Sequence, residues 1–106
     1  MNALNAYGAT PLHDAALSGY AEMVALLLEN GASINVQETA SGSTPLYNSA
    51  SMGREAVVEM LLAKGADPNL CNGSGASPLH AAVSNGYSGI AATLRSHGAK
   101  DLSARK

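Results

Sequence analysis

A chain of 106 residues, 46% apolar and only 13% charged, has room for one domain with a modest core and none for a separate catalytic domain. Six Lys plus Arg against eight Asp plus Glu leave a net charge of −2, which gives no field that would recruit a nucleic-acid backbone. With no Phe or Trp the core must be thin and closely packed, and the lone Cys71 excludes an internal disulfide, which fits a reducing compartment.

The chain opens on "MNALNAYG", with neither a basic leader nor a hydrophobic signal segment, and its longest apolar run, Val24 to Leu28 extended by Met23, is far too short to cross a bilayer. These features predict a soluble, untargeted, intracellular protein, cytoplasmic by default. Thr10 followed by Pro11 predicts a helix N-cap with proline in the first turn, where its missing N–H costs nothing. That helix carries Leu12, Ala15 and Ala16 and should end before Gly19, which can take the positive φ that closes a helix. A second helix is predicted over Glu22 to Glu29, where Val24, Leu27 and Leu28 share a face widened by Met23 and Leu26, and Gly31 stops it. From Gly31 to Thr44, "GASINVQETASGST" is polar and turn-rich, with Ile34 and Val36 alternating as in a short extended hairpin.

The pattern then recurs. Thr10, Thr44 and Ser77 each precede Pro-Leu at intervals of 34 and 33 residues, and Gly19, Gly53 and Gly86 keep the same intervals, as do Gly31, Gly65 and Gly98. A fixed period of this length predicts stacked repeats. The units run approximately over 5–38, 39–71 and 72–104 within a single domain of 1–106, each with two antiparallel helices and a projecting hairpin. Neither helix can hide its apolar face except against the neighbouring unit.

Thr10-Pro11-Leu12-His13-Asp14-Ala15 resembles the Thr-Pro-Leu-His-x-Ala signature of ankyrin repeats, followed in phase by Thr44-Pro45-Leu46-Tyr47-Asn48-Ser49 and Ser77-Pro78-Leu79-His80-Ala81-Ala82. Gly31-Ala32-Ser33-Ile34-Asn35 and Gly65-Ala66-Asp67-Pro68-Asn69 resemble the family's Gly-Ala-x-x-Asn segment. The resemblance spans nearly the whole chain and implies an all-α solenoid of three stacked helix-turn-helix repeats with projecting β-hairpin loops. Three departures stand out. Nine residues separate Asn35 from Thr44 but eight separate Asn69 from Ser77, so the first complete hairpin should be displaced or bulged at its tip. Tyr47 replaces the signature His, and Ser49 the signature Ala.

The two ends also differ. In the third unit Thr93 and Arg95 stand where earlier units have Leu26 or Met60 and Leu28 or Leu62, as a polar terminal cap requires. The first unit has no polar unit before it, which reads as a stack whose upstream repeats were removed, or as an uncapped or designed chain. Its uncovered apolar face, with Met23 among its members, predicts a weak homodimer through the N-terminal face.

Candidate chemistry is thin. His13 and His80 are two units apart, about 20 Å for helices stacked about 10 Å apart, too far to share an ion. The ankyrin resemblance implies instead that the signature His brackets its loop and packs between units. Asp14 adjoins His13 but points elsewhere on the helix. Cys71 and His80 have no third orienting group. "NGSGAS" before the third unit lacks the Lys and the Gly spacing of a phosphate loop. No catalytic residue, metal or cofactor is expected.

What the family resemblance implies is a concave surface for another protein, made of hairpin tips and the exposed side of each first helix. From the first unit it implies Leu4, Tyr7, Ala9, Asp14 and Leu17, with Tyr7 as the favoured anchor. The second supplies Glu38, Ser41, Asn48 and Met52, the third Ser74, Ala81 and Asn85. Tyr20 and Tyr87 are expected to pack between units. The expected function is a non-enzymatic protein–protein interaction module with an unidentified protein partner, and with no nucleic acid or membrane as ligand. The alternatives are a regulatory or structural part of a larger enzyme, adaptor or channel, and an engineered or reconstructed repeat protein.

Overall fold

The structure, a computed structural model, describes residues 10–100. Six helices follow one another there: α1 (Pro11–Ser18), α2 (Ala21–Glu29), α3 (Pro45–Ser51), α4 (Glu55–Ala63), α5 (Pro78–Ser84) and α6 (Ser88–Ser96). They fall into three consecutive pairs.

Three identical starts set the phase. Thr10, Thr44 and Ser77 are extended at φ −93, −95 and −92° and ψ 168, 165 and 166°, and each side-chain oxygen accepts the backbone N–H three residues on. Proline follows each cap, as the sequence requires. At Thr10 the cap is doubled, because its own N–H donates to His13 Nδ1 at 3.0 Å. The first helix of each unit is short because glycine follows it: Gly19 and Gly53 sit at φ +83° and +73°, which turns the chain back within two or three residues.

Helices α1, α3 and α5 pack side by side in one layer, α2, α4 and α6 in the other. Leu12, Leu46 and Leu79 lie between the layers, joined by Leu27, Leu61 and Leu94, and none is more than 6% exposed. Small residues, Ala16 and Ala50, both fully buried, face the following unit and favour close packing of neighbouring first helices. The core runs unbroken from Leu12 to Leu94. Ser49, the polar intruder at a signature alanine, is fully buried but donates its hydroxyl to Leu46 O at 3.0 Å, so it leaves no unmet bond.

The connections between units depart from the expected hairpins. Among the described residues there are no strands; Ile34 and Asn35 lie in a turn, and Ile34 packs on the core rather than alternating along a strand. Each loop closes through a pair of backbone bonds. Glu38 N–H donates to Ser43 O (2.8 Å) and Gly42 N–H to Glu38 O (2.7 Å). In the next loop Asn72 N–H donates to Ala76 O (2.8 Å) and Gly75 N–H to Asn72 O (2.9 Å). The surplus residue foreseen before Thr44 therefore converts a four-residue turn into a five-residue one. Polar loop residues direct their bonds to neighbouring loops instead of extending a two-stranded ladder: Gly73 N–H reaches Ser41 O at 2.8 Å, and Gln37 Nε2 donates to Cys71 O at 3.1 Å.

Leu61 and Leu94 occupy the same register, both at 0% exposure, but Leu61 has a unit on either side. Leu61→Ala should cost about 2–5 kcal/mol, and Leu94→Ala less because the terminal unit can relax. Urea midpoints of the two variants measure the difference, and equal or reversed losses would contradict a terminal role for the third unit.

Candidate functional site

Every unit-to-unit junction is tied by polar groups as well as by its core. Asn35 Oδ1 accepts Asp67 N–H at 2.9 Å, and Asn69, in the same register, accepts Lys100 N–H at 2.9 Å while its Nδ2 donates to Gly98 O at 3.1 Å. His13, 1% exposed, spans the first junction: Nδ1 faces Thr10 and Nε2 lies 2.9 Å from Ser43 O in the following unit. That is the bracket role the resemblance implied. Tyr47 cannot repeat it and is half-buried, and His80 at the end of the stack is exposed.

A second set of ties falls at the carbonyls that end the first helices. Arg54 lies across Gly19 and donates from Nε to Leu17 O at 3.0 Å; Asn85 Nδ2 donates to Ser51 O, in register with Leu17, at 3.1 Å. Tyr87 lies across Gly53 much as Arg54 lies across Gly19. A Cβ on Gly53 would come within 2.9 Å of Tyr87 Cζ, and one on Gly19 within 2.9 Å of Arg54 Cδ, so a side chain there would strain the left-handed backbone and also push its cover aside. Tyr87 thus packs between units as expected. Tyr20, at the same register in the first unit, does not: it is 65% exposed.

The anticipated contact residues divide accordingly. Leu4, Tyr7 and Ala9 lie outside the described residues. Asp14, Leu17, Ser41, Met52, Ser74 and Asn85 are exposed, although Asn85 is committed to Ser51 O. Asn48 and Ala81 were expected on the surface and are buried, at 7% and 4% exposure. Their register faces the preceding unit, and Asp14, also in that register, is open because it belongs to the first helix of the described stack. Glu38 is half-buried, with Oε2 accepting Asn48 Nδ2 and Oε1 accepting Ser41 Oγ, both at 3.1 Å. This clasp holds the longer loop against α3. The sequence signal for it was faint: an acid ten residues before an amide.

What remains open is a row at the C-terminal ends of α1 and α3, with Leu17 at 41% and Met52 at 46% exposure, together with the serine-bearing loop tips. Two large apolar side chains in adjacent registers of neighbouring helices suit contact with another surface. No group of three or more His, Cys, Asp or Glu among the described residues could hold a metal ion. No helix among them is long and apolar enough to cross a membrane.

Fold and surface together define an all-helical repeat solenoid. The family model for ankyrin repeats (many copies) matches residues 12–62 and 51–95, most of the chain, and the protein belongs to the ankyrin repeat family. Comparison with curated proteins gives no match. Ankyrin repeats generally act as protein–protein interaction modules and are typically not catalytic.

The contrast between His13 and His80 provides a check on the bracket. His13→Ala removes one of the two bonds to Ser43 O, which keeps Glu38 N–H, and takes the acceptor from Thr10 N–H, for an expected loss of about 1–3 kcal/mol, whereas His80→Ala should stay within about 0.5 kcal/mol. Chemical denaturation of both variants reads this directly; equal effects would mean that the contact to Ser43 carries no weight.

Proposed function

We propose that this chain is a non-enzymatic binding module that holds a protein partner against the C-terminal ends of its first helices and the adjoining loop tips. The observation that carries the reading is the exposure of Leu17 and Met52, at 41% and 46%, on successive helices whose neighbouring polar groups are already engaged in joining the units. A large apolar side chain left in water beside satisfied polar groups gains most from a second surface. Ser41 and Ser74, exposed at the loop tips, would contribute adaptable hydrogen bonds at the rim. Asp14 would contribute the charge. Tyr7, on sequence grounds, would add an aromatic anchor, and Leu4 and Ala9 further contacts.

The low charge of the chain, a net −2, supports a protein rather than a nucleic acid or an anionic membrane as partner. Its single cysteine supports an intracellular, cytoplasmic setting.

Capture of partners from cell lysate, with identification by mass spectrometry and titration of the purified partner, tests the assignment. Leu17→Ala combined with Met52→Ala should leave the melting curve nearly unchanged and weaken binding at least about 30-fold, the effect of losing about 2 kcal/mol at an interface centre. Tyr7→Ala should act in the same direction. A partner bound equally well by wild type and by both variants would place the interface elsewhere.

A further inference from the structure

The two ends of the stack are the two halves of a junction that the chain builds twice internally. On the side facing a preceding unit, Val57 and Ile90 are 0% and 4% exposed, whereas Met23 in the same register is 45% exposed. Pro45 and Pro78 are buried there, and Pro11 is exposed. On the side facing a following unit, Ala16 and Ala50 are fully buried, whereas Val83 in the same register is 55% exposed. A Cβ on Gly86 would meet nothing within 4 Å, although Gly19 and Gly53 are covered by Arg54 and Tyr87.

The match extends to residue identity. Tyr87 covers Gly53 at the second junction; the first unit presents a tyrosine, Tyr20, at that same register, and the last presents a glycine, Gly86, at the register of Gly53. Gly86 lies with Val83, Ala91 and Arg95 in an open depression of about 260 Å³. Tyr20 stands beside Met23 and Leu26, themselves 45% and 50% exposed.

Charge decides how two copies would meet. The leading face carries the exposed carboxylates Asp14 and Glu22, and the trailing face the exposed Arg95. Two leading faces brought together about a two-fold axis would set carboxylates near carboxylates, whereas leading face against trailing face pairs opposite signs.

We propose that the protein associates with a second copy of itself head to tail, Tyr20 of one molecule lying over Gly86 of the next, so that the solenoid continues across the joint. Such a heterologous contact does not close on itself, and assembly proceeds beyond the dimer as concentration rises.

Light scattering on the whole chain over a concentration series, with one variant for each face, tests this. Wild type should exceed twice the monomer mass at high concentration. Met23→Glu, which blocks the head, and Val83→Glu, which blocks the tail, should each be monomeric alone yet form a one-to-one dimer when mixed, since one supplies an intact tail and the other an intact head. Circular dichroism melts confirm that both fold; Tyr20→Ala is a milder head variant should Met23→Glu not. A wild type that stays monomeric overturns the proposal. So does a Val83→Glu variant that dimerises alone, which would indicate two-fold pairing of leading faces.

Discussion

A pair of helices seven to nine residues long has apolar surface on two sides and can cover only one by itself. The rest of this molecule follows from that shortage. Ala16 and Ala50 are fully buried where first helices adjoin, and the core passes from unit to unit without interruption. Because the surface lost to water lies at the junctions, polar groups there must be paired, and they are: no buried side-chain nitrogen or oxygen among the described residues lacks a partner.

The junctions solve one geometrical problem with different chemistry. The carbonyl at the end of a first helix meets Arg54 at one junction and Asn85 at the next, and the glycine beside it is covered first by an alkyl stem and then by a ring. The space available admits either. These bonds engage Arg54 and Asn85 with backbone carbonyls, while Leu17 and Met52 beside them stay open to water. The exposed apolar side chains thus lie beside the bonds that hold the stack together.

Much of this was legible in the sequence. Thr-Pro and Ser-Pro marked three helix starts because an N-cap oxygen and a proline in the first turn act locally, and the glycines marked the reversals for the same reason. The period gave the stacking. It did not say which register faces forward and which faces back, so Asn48 and Ala81 were taken for surface positions when the preceding unit buries them. Nor did the alternation of Ile34 and Val36 make strands, because Ile34 turns onto the core and the loop amides bond to adjacent loops. Arg54 was missed because it shares length, not chemistry, with Tyr20 and Tyr87.

The unequal loops have a mechanical meaning. Glu38 to Gly42 holds one residue more than Asn72 to Gly75, yet Thr44 and Ser77 begin their helices at backbone angles within a few degrees of one another, and Ser41 still meets Gly73. The added length is dissipated at the tip before it reaches the spine. Pitch and display are therefore decoupled: insertions at the tip can remodel what the molecule shows to its surroundings while the spacing of its rungs is inherited unchanged.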